Sequence, residues 1–263
     1  MASGVFLLGL GVAGCATAPA PAPLAPRRAP RTATLEEVRA AYDRYSTGNE
    51  TVSASGDLDV RDLRAGRGRK LGFRLVAARG GKLYLKGSIA IVTALEVTSD
   101  GERFSFLVPS KKTVWTGSVQ GAPATDDSGA PYYALRPRDV TSALLPEPLA
   151  ARDGEALLFE ASPDAFTLTV ARPAASTVRR RVALDREALR PVRLLEFDEH
   201  GELQSDTALG WAQDELRRVE ILRPVEGYQA TLAFDKLERN VAVPERAFVA
   251  RLPEGYAVVE VGK

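Results

Sequence analysis

Hydrophobic and polar residues alternate along much of this chain with the period of two that is typical of β-strands. In residues 166–171, Phe166, Leu168 and Val170 fall on one face, and two threonines and an alanine fall on the other. Residues 228–235 alternate in the same way. Further candidate strands lie at 52–61, 70–78, 82–89, 92–99, 102–108 and 113–119. Turn residues rather than helices separate most of these segments, so the pattern predicts an antiparallel meander.

Two segments follow the helical period instead. Thr34 is predicted to be the N-cap of a helix over residues 34–47, and Glu37 completes a capping box. Apolar side chains then recur at spacings of three to four residues, at Leu35, Val38, Tyr42 and Tyr45. This apolar stripe predicts that the helix packs against the sheet. A second helix is predicted at 137–145.

The segment 86–97 departs from the alternating pattern. Ile89, Ala90, Ile91 and Val92 are four consecutive apolar residues beside the turn-forming pair Gly87 and Ser88. Such a run is compatible with an exposed tip between two strands. Ile and Val are strong strand formers, which favours the alternative of a strand that is buried on both faces.

The N-terminus combines a short apolar run, a single cysteine and a proline-rich stretch. Residues 5–14 form an uncharged, largely apolar run that is too short to span a bilayer but typical of a signal peptide. The string VAGC, which ends at Cys15, resembles the lipobox at which bacterial lipoproteins are cut and acylated, although no Lys or Arg precedes the run. A Pro/Ala-rich stretch follows. We therefore predict a signal peptide at 1–14, a lipidated cysteine and tether at 15–33, and a single domain at 34–263.

Composition narrows the possible function classes. The 263 residues carry 35 basic and 34 acidic side chains, so the chain lacks the strong positive field that attracts nucleic acid. Cys15 is the only cysteine and His200 the only histidine. His200, like the pair Asp126 and Asp127, lies in a turn-forming sequence without the further ligands that zinc or calcium sites require. Because no nucleophile elbow, zinc motif or paired catalytic carboxylates are present, we predict no enzyme, no cofactor and no metal site.

Residues 99–118 contain a DG turn, an aromatic strand, a proline and a basic pair, and residues 182–203 contain two candidate strands. Residues 228–261 contain a strand, a turn with an asparagine and a P-x-G motif. Taken in order, these three stretches resemble the bacterial lipoprotein-localisation (Lol) superfamily. The resemblance implies a mainly β (α+β) fold, in which a strongly curved, unclosed antiparallel β-barrel wraps around a few helices and leaves an apolar cavity. An apolar cavity suits acyl chains, because each buried methylene contributes about 0.8 kcal/mol without a placed polar group.

The resemblance also suggests where lipid and membrane contacts occur. The candidate cavity-lining residues are Phe73, Leu75, Phe104, Phe106, Trp115, Phe166 and Phe234. The same side chains would also fill a dry core, and both interpretations stay open. Receptor-like members of the superfamily imply a protruding apolar loop that contacts the membrane. Its best candidates in this chain are Ile89, Ile91 and Val92.

An acylated Cys15 places the chain among the receptor-like lipoproteins of the superfamily. In enterobacteria an Asp after this cysteine retains lipoproteins in the inner membrane, so Ala16 points to the outer membrane, facing the periplasm. We expect a membrane-anchored lipoprotein of the cell envelope that binds lipid or lipoprotein acyl chains and assists their localisation to the outer membrane. The alternative is a non-catalytic envelope scaffold that keeps the fold without carrying lipid. The sequence indicates no nucleic-acid partner and identifies no protein partner.

Overall fold

The computed structural model describes residues 31–119 and 135–261, and in these residues fourteen strands form a single sheet. The first six strands are β1 Thr51–Asp62, β2 Arg67–Ala78, β3 Lys82–Ile89, β4 Val92–Asp100, β5 Arg103–Val108 and β6 Thr113–Ser118. The others are β7 Ala156–Ala161, β8 Ala165–Arg172, β9 Thr177–Asp185, β10 Pro191–Phe197, β11 Leu203–Ala212, β12 Glu215–Arg223, β13 Tyr228–Arg239 and β14 Ala257–Val261. The α-helices are α1 Leu35–Thr47 and α2 Pro137–Leu144.

The sheet is curved and open. Its strand order is β14-β6-β5-β4-β3-β2-β1-β13-β12-β11-β10-β9-β8-β7. Neighbouring strands are antiparallel except for β14 and β6. The two outermost strands, β14 and β7, do not pair with each other, so the sheet forms a half-barrel rather than a closed barrel. This architecture confirms the predicted fold class of a mainly β, unclosed barrel.

One strand pairing differs from the antiparallel sheet that the sequence predicts. β14 runs parallel to β6, with Val258 level with Val114. The chain reaches β14 through residues 240–256, and the backbone N–H of Ala257 donates to the carbonyl oxygen of Lys112 at 2.9 Å. Because β14 enters the sheet beside the start of β6, it must run in the same direction as β6.

A bulge between the two longest paired strands bends the sheet near its middle. The register of β1 against β13 shifts between Ser55 and Gly56. Gly56 has a φ of 156°, and a Cβ atom at this position would collide with the carbonyl oxygen of Ala233. Bulges bend a strand and increase its twist, so Gly56 lets β1 and β13 approach closely where the sheet curves.

Helix α1 begins as the sequence predicts. The hydroxyl of Thr34 accepts a hydrogen bond from the backbone N–H of Glu37 at 3.3 Å, and the N–H of Thr34 donates to the Glu37 carboxylate at 2.8 Å. The capping box is therefore confirmed. The helix buries Val38, Ala41 and Tyr42 in the same core as the inner face of the sheet.

Helix α2 lies across the concave side of the sheet. It contacts β2, β3 and β4 on one side and β12 on the other. Its bounds, Pro137–Leu144, confirm the helix predicted at 137–145. The core lies between the two helices and the inner face of the strands. Within residues 31–119 and 135–261, neither helix is long and apolar enough to cross a membrane.

The hairpin turns alternate between two rims of the half-barrel. Rim A carries the turns β2–β3, β4–β5, β7–β8, β9–β10 and β11–β12, and rim B carries the turns β1–β2, β3–β4, β5–β6, β8–β9, β10–β11 and β12–β13. The described chain begins at rim A, where the backbone N–H of Arg31 donates to the carbonyl oxygen of Arg186 at 3.0 Å. The Arg186 guanidinium in turn donates to the carbonyl oxygens of Arg31 and Ser162.

Candidate functional site

The seven predicted cavity-lining side chains all lie on the inner side of the sheet and are 6% exposed or less. Some of them contact each other. The rings of Phe73 and Phe234 pack edge to face with centroids 6.0 Å apart, and those of Phe104 and Phe106 do so at 6.1 Å. Phe166 stands further along the sheet, stacked on Phe159 at 5.9 Å. All seven belong to one continuous apolar core.

Helices α1 and α2 cover this inner face. Val38 and Tyr42 of α1, and Val140 and Leu144 of α2, are 3% exposed or less and belong to the same core. In this arrangement the protein's own side chains occupy the space above the aromatic residues. The contacts that hold each helix therefore determine how firmly this face stays covered.

A buried polar cluster holds the first turn of α2 against the β12–β13 hairpin. Asp139 accepts a short hydrogen bond from the Tyr228 hydroxyl and lies 3.6 Å from Arg223. Arg223 also donates to Glu226 at 2.7 Å, and Glu226 forms an ion pair with Arg136 at 2.6 Å. Burial raises the pKa of the Asp139 carboxyl above its usual value, against the opposing effect of Arg223. We call this cluster the α2 latch.

A second buried charge lies under α1. Arg180 is 5% exposed, donates to the carbonyl oxygen of Glu147 at 3.0 Å and pairs with Glu196 at 2.8 Å. The Tyr42 hydroxyl donates to the same Glu147 oxygen at 3.0 Å. Burial raises the pKa of Tyr42, so this hydroxyl keeps its proton and remains a donor. Hydrogen bonds to the Glu147 carbonyl oxygen therefore connect β9 and α1 to the segment that follows α2.

Sequence reasoning missed both polar clusters. A signal for Arg180 exists in the strand pattern, because Arg180 shares the inward register of β9 with Val182 and Leu184. A charged residue at an inward position must find a partner when it is buried. No comparable signal identifies Asp139, since its partners Arg223 and Tyr228 come from a hairpin far along the chain.

The hydroxyl of Tyr45 behaves differently from that of Tyr42. Its ring packs edge to face on Trp211 with centroids 5.9 Å apart. Among the described residues this hydroxyl has no hydrogen-bond partner, and its burial raises the pKa of Tyr45 to about 12. A buried hydroxyl without a partner does not stabilise the fold. Tyr45 therefore contributes through its ring.

The candidate membrane-contact residues lie at the β3–β4 turn on rim B. Ile89 is 50% exposed, Ile91 98% and Val92 66%. The turn at Ala90 and Ile91 separates the two strands, and Ala90 has a positive φ of 52°. The structure thus places these side chains in solvent rather than in a strand buried on both faces. We call residues 89–92 the tip.

The remaining sequence candidates do not form a site in the described residues. His200 is exposed in a turn where its backbone N–H donates to Asp198 at 2.9 Å. Its role as a turn residue is the one that the sequence predicts. Cys15, Asp126 and Asp127 lie outside the described residues. Within residues 31–119 and 135–261, no group of three His, Cys, Asp or Glu residues is arranged to hold a metal ion.

Comparison with known proteins relates the fold to solved structures. No protein-family model matches the chain. No curated protein is similar to it in sequence. A DUF1329 family protein from Desulfovibrio piger matches 81% of this chain and 95% of its own, at 13% identity and a TM-score of 0.50.

Two further solved structures are similar to the chain. One is an outer-membrane lipoprotein-sorting protein domain from Vibrio parahaemolyticus (14% identity, 81% of this chain and 94% of its own, TM-score 0.47). The other is a LolA superfamily protein from Nitrosomonas europaea (10% identity, 83% and 99%, TM-score 0.49). At such low identity these likenesses concern the fold alone, and the chain has the fold of the DUF1329 protein.

Proposed function

We propose that this protein is a lipid-anchored lipoprotein of the cell envelope that binds acyl chains or lipoproteins on the concave side of its half-barrel and assists their localisation to the outer membrane. The observation that carries the proposal is the architecture: an open sheet whose apolar inner face is covered by two short helices. The description of one structural neighbour as lipoprotein-sorting agrees with this role.

Helix displacement would create the binding space. The inner face offers phenylalanine, leucine and valine side chains that α1 and α2 now cover. Each acyl methylene that is buried in place of a helix side chain contributes about 0.8 kcal/mol to the free energy of binding. A chain of several methylenes can therefore offset the loss of a short helix such as α2, which is held by one buried polar cluster and a few apolar side chains. We infer that α2 is the movable cover.

The tip has a complementary role in this proposal. Ile91, with its neighbours Ile89 and Val92, presents an apolar surface that a soluble protein seldom exposes on a hairpin turn. Inserted between lipid headgroups, the tip would hold rim B against a bilayer while an acyl chain passes. Acylated Cys15 would keep the protein at that membrane.

A photoreactive fatty acid tests the acyl-binding proposal. The processed chain, which starts at residue 15 and carries Cys15→Ser, is incubated with the probe and irradiated, and the adducts are mapped by mass spectrometry. We expect adducts on α1, α2 and the inner face, and competition by unlabelled lipids. The variant Ile91→Asp is the control, because it alters the tip and leaves the concave side intact. Absence of inner-face adducts at saturating probe contradicts the proposal.

Lipidation and location have separate tests. Radiolabelled palmitate should enter the wild-type protein, and Cys15→Ala should abolish both the label and the sedimentation of the protein with membranes. Density-gradient separation of envelope fractions should place the wild type with the outer membrane. A processed wild-type protein that stays in the soluble fraction contradicts the anchor.

A scaffold lipoprotein is the second candidate function. The observation that favours it is the burial of all seven candidate side chains in one core with residues of both helices. A scaffold would keep this core closed and use its outer surface for a partner. Hydrogen exchange separates the two functions: a carrier should show faster exchange in α2 when a fatty acid is added, whereas a scaffold should show no change.

A further inference from the structure

A cluster of positive charges lies at the β1–β2 hairpin on rim B. Between residues 61 and 70 the sequence has five cations and one acid, Asp62. The cations are Arg61, Arg64, Arg67, Arg69 and Lys70, and all of them are exposed. The Asp62 carboxylate already accepts the backbone N–H groups of Arg64 and Ala65, each at 2.9 Å. We call residues 61–70 the basic arm.

Most of this charge has no ion-pair partner. Arg61 pairs with Asp59 at 2.9 Å. Arg67, Arg69 and Lys70 form no salt bridge with any described residue, although Asp59 lies opposite Lys70 on β1. The chain as a whole has a formal charge of only +1, so the arm is a local concentration of positive charge. Free cations that are grouped on one hairpin attract anions, and salt weakens this attraction.

The basic arm is next to exposed apolar side chains on the same rim. Leu63, in the β1–β2 turn, is 46% exposed, and Val225, in the β12–β13 turn, is 48% exposed. The two turns are joined, because the Leu63 N–H donates to the Gly227 carbonyl oxygen at 2.7 Å and Arg64 donates to the carbonyl oxygen of Val225. Apolar side chains and free cations thus occur together on these turns.

The tip flanks the arm on its other side. Pairing of β2 with β3 begins at Gly72, opposite Ser88, so residues 67–71 extend past the end of β3. At about 3.3 Å per residue, the hairpin projects some 15 Å beyond that point. A shallow groove of about 560 Å³ on the outer face of the sheet, lined in part by Arg61, Lys70 and Ile89, separates the arm from the tip.

We infer that rim B is a docking surface for an anionic bilayer: its exposed apolar turns insert between the lipids, and the basic arm binds their phosphate groups. The combination favours a membrane over a free anion, since the apolar turns have no role in binding inorganic phosphate. An apolar face bordered by Lys and Arg is the usual composition of membrane-surface segments. The inference rests on the proposed membrane role of the tip and adds a preference for anionic lipid.

The predicted tether is long enough to allow this orientation. The described chain starts at rim A, beside Arg186, whereas the docking surface is on rim B. β1 has 12 residues and runs about 40 Å between the two rims. An extended chain from Cys15 to residue 30 reaches about 50 Å at ~3.1 Å per residue. An anchored Cys15 therefore permits rim B to face the membrane that holds the anchor.

Vesicle flotation tests the inference on the processed chain that starts at residue 15 with Cys15→Ser. Vesicles of phosphatidylcholine alone are compared with vesicles that contain about 30% of the anionic lipid phosphatidylglycerol, at low and high KCl. The test variant is Arg67→Gln/Arg69→Gln/Lys70→Gln. The control variant Arg44→Gln/Arg246→Gln/Arg251→Gln removes the same charge from exposed side chains elsewhere.

Each cation near an anionic surface strengthens binding about fivefold, so we expect the test variant to bind anionic vesicles on the order of 100-fold more weakly than the control. High salt should reduce binding of the control more than binding of the test variant. Equal binding of both variants, or equal binding of the parent to neutral and anionic vesicles, overturns the inference. Binding of labelled polyglutamate without a preference for anionic vesicles also overturns it, because the arm would then fit an acidic polypeptide.

Acyl binding is measured on the same variants. The photoreactive fatty acid should label the inner face equally in the parent, test and control chains, since the arm lies outside the concave side. A parent chain that is labelled normally but binds neutral and anionic vesicles equally would refute the docking inference and leave the proposed function standing. Normal vesicle selectivity without labelling would refute acyl binding alone.

Discussion

Removal of the Asp139 carboxylate tests whether the α2 latch holds the cover of the half-barrel. Asp139→Ala deletes the acceptor of the buried Tyr228 hydroxyl, and a hydrogen bond to a charged group contributes about 1.5–3 kcal/mol. The variant does not leave Arg223 unpaired, because Arg223 still donates to the Glu226 carboxylate at 2.7 Å. The loss of 3–5 kcal/mol that is typical of a broken buried ion pair is therefore not expected. We expect a decrease of about 2 kcal/mol in the free energy of unfolding.

Urea unfolding at neutral pH measures this decrease, with Tyr45→Phe as the control. Tyr45→Phe removes a buried hydroxyl that has no described partner, so its free energy of unfolding should equal or exceed that of the wild type. If α2 is the movable cover, Asp139→Ala should also take up the photoreactive fatty acid faster than Tyr45→Phe. A free energy of unfolding for Asp139→Ala that equals that of the wild type would refute the latch.

The pH dependence gives a second test of the same carboxylate. Burial raises the pKa of Asp139 in the folded state above its unfolded value near 3.8, so the folded protein takes up this proton first as pH falls. The proton-linked part of the Asp139 contribution is therefore fully present below about pH 4 and is lost as pH rises through the folded pKa. Asp139→Asn has no such proton. The stability of the wild type relative to Asp139→Asn should thus be highest below about pH 4 and fall as pH rises, and the opposite trend contradicts the assignment.

Three further predictions concern other parts of the fold. The Arg179 guanidinium lowers the pKa of Glu155 to about 2, so the stability that this ion pair provides beside β7 should be lost as pH falls from about 4.5 toward 2. Hydrogen exchange of β7 should therefore become faster over this range, and Glu155→Gln should remove the change. Gly56→Val should cost more than about 2 kcal/mol in urea unfolding, because its side chain would collide with the Ala233 carbonyl; unchanged stability would contradict the bulge geometry. Ile91→Asp, at an exposed turn, should change stability by less than about 0.5 kcal/mol yet weaken vesicle binding, and a folded variant that binds vesicles normally would eliminate the membrane role of the tip.

Many of the strands could be predicted from the local alternation of apolar and polar residues. The strands that this pattern misses have physical reasons for lacking it. The alternation in β13 buries Tyr228, Ala230, Leu232 and Phe234 as the sequence predicts. β7 and β14 were not predicted, because edge strands bury little and need no alternation: β14 is exposed at four of its five positions. β11 and β12 are also missed, and in β12 Arg217 and Arg218 interrupt the apolar positions and point to solvent.

Some features of the candidate site are likewise visible in the sequence, and others need the tertiary structure. The sequence indicates the tip, because an unbroken apolar run beside turn residues is a local signal, and it indicates the inner-face aromatics through their period of two. It also shows that residues 61–70 are basic. Only the tertiary structure places this arm beside the tip and beside Val225, because the β12–β13 turn is far away in the sequence.

By itself, the sequence determined the strand-rich fold class and the capped first helix, because each follows from residues that lie close together in the chain. The tertiary structure decided that β14 enters parallel to β6 and which strands helix α2 contacts. It also decided the partners of Asp139 and Arg180. Each of these features depends on which distant segments meet, and the free energy of such contacts is set by burial in the folded chain, which no local pattern encodes.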